Sequence, residues 1–298
     1  MKLYILKYNF IYYLCNCPKD LKIPINDIQS IKHYKDFNLI KLYNKKYIAD
    51  TQDLENGKDS EYPSKFPVIV RPIVNLYGMG KDAYFLNYTE KENFKIPKDF
   101  FWCEMLDGEH LSVDVFYTKN KIQNFICFRG EKGNLFTFEY WEYLPNYKPS
   151  KYITNWIKNN LKGFNGVFNI EIIGNNIIEC HLRMGDSNYF QNKELTKYLI
   201  SCYKNEVINF NKKKLPKIYL LPIFVKKNNY VKLKTEDIFN FVRESNTEKY
   251  ILNYFIDPPP ENNTNPAGGD RICNFSITNL EKGFYLKNFM KKTITNII

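Results

Sequence analysis

The sequence predicts an α+β fold on three observations. Residues 110–117 alternate, with Leu111, Val113 and Val115 on one side and His110, Ser112 and Asp114 on the other, which is the period of a strand. Residues 167–173 and 177–183 read as a second pair of strands joined by a Gly-Asn-Asn turn. Between them, Ile153, Trp156, Ile157 and Leu161 recur at helical spacing, and Gly163 stands where a C-terminal cap belongs.

The other elements follow in chain order. Residues 1–20 are expected to be strand-rich. Their opening, MKLYILKYNFIYYLCNC, has a superficial likeness to a signal peptide, but Lys7 and Asn9 interrupt the apolar run and no small-residue cleavage site follows, so a cytoplasmic protein is expected. Residues 21–62 are polar and irregular, with short strands expected at 37–43 and 46–49. Phe66-Pro67-Val68-Ile69-Val70-Arg71-Pro72 is a β-branched strand closed by proline. It leads into Asn75-Leu76-Tyr77-Gly78-Met79-Gly80, and strand character resumes at 82–88. Residues 121–129 return from the turn at 118–120. Beyond residue 203 a connection (205–217), a strand (218–225), a short helix (235–244), a strand (250–256), a loop (257–270), a strand (271–277) and a last helix are expected. The chain divides into a short N-terminal segment (1–65), a main domain (66–200) and a C-terminal α/β subdomain (201–298), without internal repeats.

Composition bounds the function. At 44% hydrophobic and 17% aromatic, the 298 residues can bury a real core, which excludes wholesale disorder. No run of 18 apolar residues occurs, so no membrane-spanning helix is expected. The net charge of +11 raises a nucleic-acid partner, yet only five of the 43 basic residues are arginine and the lysines are dispersed, as an AT-rich coding sequence would produce. A solvated basic surface is the reading adopted. The seven cysteines are odd in number and scattered, so they read as reduced, mostly buried thiols.

The most informative stretch is Asn169-Ile170-Glu171-Ile172-Ile173-Gly174-Asn175-Asn176-Ile177-Ile178-Glu179-Cys180-His181-Leu182-Arg183. With Gly174-Asn175-Asn176 as a three-residue loop, Ile173 pairs with Ile177, Glu171 faces Glu179, and Asn169 faces His181. Ile170, Ile172, Ile178, Cys180 and Leu182 then point to the buried side. Two carboxylates opposed at about 4.5–5.5 Å between Cβ atoms repel each other unless something positive lies between them. A hard divalent cation with substrate phosphates would serve; an ordinary hairpin with a polar side is the alternative. Gly78, Met79 and Gly80 could bring backbone N–H groups to a phosphate, or form a plain turn. Arg71 is a phosphate ligand or a surface cation. The face of His110, Ser112 and Asp114 has no nucleophile beside it to make a hydrolase.

Taken together and in this order, these segments resemble the ATP-grasp superfamily, in its biotin carboxylase and carbamoyl-phosphate synthetase branch. Phe66–Pro72 resembles the strand that carries a phosphate-binding lysine, with Asn75–Gly80 as the flap. Glu104 to Asp114 (EMLDGEHLSVD) resembles E-x-x-x-G-x-E/H-x-S-x-D, and 166–171 with 178–183 resemble the metal-binding strands ending E-x-N-x-R. Residues 271–283 are similar to the small segment after the grasp domain. The resemblance covers about residues 66–190. It departs from the pattern at Arg71, where the family has lysine, at His181, where it has asparagine, and in a short N-terminal region in which Lys45 or Lys46 stands for the first lysine.

The resemblance implies an ATP-grasp fold with two α+β subdomains clasping a nucleotide. It implies adenine at Glu104, Met105 and Leu106 with His110 among the nucleotide contacts, phosphates at Arg71, Gly78, Met79 and Gly80, and Mg²⁺ (or Mn²⁺) on Glu171, Glu179 and His181. Arg183 and Arg71 would be catalytic in a ligase that activates a carboxylate as an acylphosphate for capture by an amine. The partners would be a small-molecule carboxylate and amine, with a homodimer or partner subunit left open. A non-catalytic nucleotide-binding relative and a basic nucleic-acid-binding protein are the alternatives.

Overall fold

Two antiparallel sheets face one another across a cleft. The computed structural model describes residues 21, 23–24, 26–76, 80–190, 192–226, 229–257 and 268–295. The first sheet holds β1 (Asn56–Gly57), β2 (Val68–Pro72), β3 (Tyr84–Leu86) and β4 (Phe100–Glu104) in the order β1-β4-β2-β3. The second holds β5 (His110–Thr118), β6 (Lys121–Lys132), β7 (Phe138–Tyr143), β8 (Gly166–Ile173), β9 (Asn176–His181), β10 (Tyr219–Val225), β11 (Ile251–Ile256) and β12 (Asp270–Ile277). Its order is β11-β12-β10-β7-β6-β5-β8-β9. The strands of the C-terminal segment thus extend the same sheet that carries the His110 and Glu171 strands, while packing a core of their own.

Strand alternation decides what each face does. On β5, Leu111, Val113 and Val115 join Ile170 and Ile172 of β8 and Ile177, Cys180 and Leu182 in a buried cluster. Helix α4 (Lys151–Asn160), N-capped by the Ser150 hydroxyl, covers that cluster with Ile153, Trp156 and Ile157. The opposite face starts polar, with His110, Ser112 and Asp114, and turns apolar at Phe116. There Phe116, Ile126, Phe128 and Val167 are covered by Leu195, Tyr198 and Leu199 of α5 (Lys193–Tyr203). The polar, uncovered end of this face is the floor of the cleft. Helices α6 (Thr235–Glu244) and α7 (Leu280–Thr295) bury Ile238, Val242, Leu286 and Met290 against Ile272, Cys273 and Phe275 of β12.

Residues 37–43 and 46–49, expected as strands, are helical. Helix α1 (Asp27–His33) is followed by α2 (Phe37–Ile40), a 3₁₀ turn at Lys41–Tyr43, and α3 (Lys45–Asp50). The reason is capping. The Asp36 carboxylate accepts from Asn38 N and the Asn44 amide from Tyr47 N, satisfying backbone donors that β propensity alone ignores. β7 and α5 lie in stretches where no element was expected. The expected strands within residues 1–20 lie outside the described residues. Among the described residues no helix is long and apolar enough to cross a membrane. Cys103, Cys127, Cys180, Cys202 and Cys273 are free and buried, as read from the sequence.

The hairpin of β8 and β9 reaches the expected pairing by a different route. Ile173 pairs with Asn176, leaving a two-residue loop, and a bulge between Glu171 and Ile172 restores the register, so Glu171 faces Glu179 and Asn169 faces His181. The extra residue is Ile178. It turns into the cleft, and Ile177 takes the core place expected for it. From α3's end, the Gln52 amide clasps Ile177, accepting from its N–H and donating to its carbonyl, each at 2.7 Å. At the tip, Gly174 (φ +61°) packs on the turn before β5 so closely that a Cβ would lie 2.5 Å from the Asp107 carbonyl oxygen. Gly174→Ala is expected to lower stability by at least about 1–2 kcal/mol from its left-handed backbone alone, more with the clash, read as a fall in the urea midpoint.

Candidate functional site

The cleft has a volume of about 490 Å³, within the usual range for small-molecule sites, and both sheets line it. From the first sheet come Ile69, Arg71, Cys103 and Glu104, followed by Met105 and Leu106. The second supplies His110, Ser112, Asn169, Glu171, Glu179 and His181. At its mouth the Phe85 and Phe136 rings stack at 4.8 Å, joining the two sheets. Gly80 lies beside Phe136 at φ +60°. Tyr77, Gly78 and Met79 lie outside the described residues, so the expected phosphate loop is seen only from Gly80 onward.

Glu179 is the centre of charge. The Lys45 ammonium donates to Glu179 Oε1, Arg71 Nη1 stands 3.9 Å from the same oxygen, and His181 Nε2 is 3.3 Å from Oε2. Burial would raise this carboxyl, but Lys45, His181 and Arg71 outweigh it and hold it well below the usual carboxylate range. The structure thereby separates the two candidate lysines. Lys45 is buried in the cleft, whereas Lys46 pairs with Asp50 on the surface.

Glu171, across the sheet, is 3.0 Å from His110 Nε2. His110 stands edge-on to Phe138 and Trp141, at 4.9 and 5.6 Å between ring centroids. It therefore supports Glu171 from the cleft wall. Ligand atoms of Glu171, Glu179 and His181 all lie within 4.8 Å of one another, a spacing that one metal ion can span. The two carboxylates suit Mg²⁺; the imidazole favours a metal of the Mn²⁺ kind more than Mg²⁺.

Asp27, at the start of α1, was not read from the sequence. It is 2% exposed and sits beneath the β9 strand end. Its Oδ2 is 3.1 Å from His181 Nδ1 and accepts from Arg183 Nη2 at 3.2 Å, while Arg183 Nε lies 3.0 Å from Oδ1. Arg183 also donates to the Met184 carbonyl at 3.2 Å, so its fork is committed and it acts as a fixed positive charge. Asp114, fully buried, is a second anchor. Burial raises its pKa against four donors: Ser187 Oγ and N, Gly185 N and Asn169 Nδ2. It ties the turn at Asp186–Phe190 to the floor of the cleft. No local spacing signals Asp27, 154 residues from its partner; the place of Asp114 in an alternating strand was visible, but not its contacts.

No family model matches the sequence, and no curated protein matches it. Solved structures do match its fold. An L-amino acid ligase from Bacillus licheniformis superposes with a TM-score of 0.57 at 13% identity, over 85% of this chain and 72% of that one. Carboxyaminoimidazole ribonucleotide synthase from Aspergillus clavatus, complexed with ATP, gives 0.56 at 11%, over 91% and 79%. N5-carboxyaminoimidazole synthetase from Staphylococcus aureus, complexed with ADP, gives 0.55 at 14%, over 83% and 72%. The chain has the ATP-grasp fold of these ligases.

The buried His181 makes metal-free stability depend on pH. Burial opposes its charge, but Asp27 and Glu179 outweigh that and push its pKa from an ordinary 6.5 up to about 9. Its contribution is therefore complete below pH 6.5 and lost as pH rises through about 9, worth up to about 3 kcal/mol. Asp27, lowered from 3.8, loses its contribution only in acid. Urea midpoints without metal are expected to fall between pH 6.5 and 9, and His181→Asn to flatten that slope.

Proposed function

We propose that the chain is an ATP-dependent ligase that activates a carboxylate as an acylphosphate for capture by an amine. One observation carries this reading: three side chains of metal-ligating type, Glu171, Glu179 and His181, bring their ligand atoms within 4.8 Å of one another at the floor of a cleft where Lys45 and Arg71 also meet. The fold of ATP- and ADP-complexed ligases supports it.

In this reading the backbone of Glu104, Met105 and Leu106 holds the adenine, and the segment at Gly78, Met79 and Gly80 covers the phosphates. Lys45 and Arg71 leave Glu179 to hold the phosphates; Arg71 Nε is buried without a hydrogen-bond partner, so the guanidinium has donor capacity to spare. Glu171, Glu179 and, once its Nε2 has given up its proton, His181 would hold a divalent cation, which would supply neutralisation of the phosphate charge. Arg183, fixed by Asp27, faces the charge that develops as the γ-phosphoryl group passes to the carboxylate. Such chemistry is positioning plus electrostatics.

A second reading, nucleotide binding without transfer, is favoured by the His181 imidazolium, which already bridges Asp27 and Glu179 where the family pattern has a neutral asparagine. ADP release separates the two. With Mg²⁺ or Mn²⁺ present, ATP at about 100 times its dissociation constant is expected to add about 2.7 kcal/mol of stability, visible as a raised Tm. Glu179→Gln is expected to lower acid-dependent ADP release at least about 100-fold, since ligand loss exceeds the 10–100-fold cost of losing an outer partner. Full turnover in that variant would refute the ligase assignment.

A further inference from the structure

A second polar group lies in the same cleft, toward the C-terminal strands, and the nucleotide reading leaves it without a task. On β12 a bulge sets Arg271 opposite Phe224 and Asn274 opposite Pro222. Arg271 and Asn274, three residues apart, therefore both line the cleft, while Ile272 and Cys273 between them are in the core. Asp257 grips one edge of the Arg271 fork, with Oδ2 2.9 Å from Nε and Oδ1 2.7 Å from Nη2. Nη1 has no hydrogen bond among the described residues, so the fork is oriented but only half used.

Asn274 is 4% exposed. Its Nδ2 donates to the Tyr189 hydroxyl at 2.9 Å, and its Oδ1 is buried without a partner. Asp186, on the turn after β9, lines the cleft near the Ser112 hydroxyl, with no cationic side chain within 4.0 Å among the described residues. The Tyr189 phenol interacts with Arg271, Asp186, Asp257 and Asn274, which places them in one corner. Burial, then the nearby Asp114 charge, pushes Asp186 up to about 6, leaving it mostly ionised at neutral pH.

We infer that this corner binds a free α-amino acid, its carboxylate on Arg271 Nη1 and its ammonium on Asp186 and Asn274 Oδ1. The inference rests on the ligase reading and names the class of amine substrate that the same cleft takes. A lone carboxylate would satisfy Arg271 and face Asp186 unpaired; a lone amine would do the reverse. A zwitterion satisfies the guanidinium, the carboxylate and the orphaned acceptor together, and a site built on buried polar groups rejects analogues that leave them empty.

The test is calorimetry on the full chain with ATP and Mg²⁺, using a panel of the common α-amino acids against their N-acetyl and α-carboxamide derivatives. At least one free amino acid is expected to bind, each derivative at least about tenfold more weakly, and Asp186→Asn and Asn274→Ala to weaken binding by at least about tenfold. Circular dichroism checks that both variants fold, and neither touches the Arg271–Asp257 pair. ATP binding with no amino acid binding would overturn the inference and leave the ligase reading standing. Equal binding of the N-acetyl form would also overturn it, reducing the corner to a carboxylate site. Loss of both nucleotide and amino acid binding would remove the two readings together.

Discussion

The opposition of Glu171 and Glu179 across neighbouring strands is the constraint on which the rest of the structure depends. Like charges directly across a sheet destabilise it, and Glu179 is nearly buried, where an unpaired carboxylate would cost far more. The compensation comes from three directions. Lys45 arrives on a helix from the N-terminal segment, Arg71 from the facing sheet, and His181 from the same strand two residues on. The charge of one side chain thus draws the N-terminal helices and both sheets onto a single point.

That point is held by backbone devices as much as by charge. The bulge at Ile178 aligns the carboxylates, Gln52 pins the strand beside it, and Gly174 seats the hairpin tip on the turn that leads from Glu104 into β5. The segment expected to meet adenine and the strands expected to meet metal therefore share one junction, with the Gly174 N–H donating to the Glu109 carbonyl at 3.0 Å. Geometry of this kind suits chemistry in which reacting groups are aligned more than activated.

Much of this was legible in the sequence wherever an interaction is local or periodic. The faces of β5, the opposed glutamates, the helix at Lys151–Asn160 and the C-terminal strands follow from alternation and spacing. The pairing of Glu171 with Glu179 was read correctly from an incorrect loop, because a shorter turn and a bulge shift the register by compensating amounts. Residues 37–43 and 46–49 are helical and not extended because the caps at Asp36 and Asn44 outweigh their β-rich composition. Asp27, the loop anchored by Asp114, and the Arg271–Asp257 pair carry no local signature. Their partners are fixed by tertiary contact, and Arg271 and Asn274 share a face only because a bulge breaks the alternation between them.

Gln52 has a further consequence. β9 ends the larger sheet, and an end strand normally offers its free N–H and C=O groups to any extended chain that meets it. By giving Ile177 both a donor and an acceptor, one glutamine side chain stands in for the strand that is missing. The border of the sheet nearest the charged cleft is thereby closed to strand addition at that position. The far border is β11, where Leu252 and Phe255 are exposed.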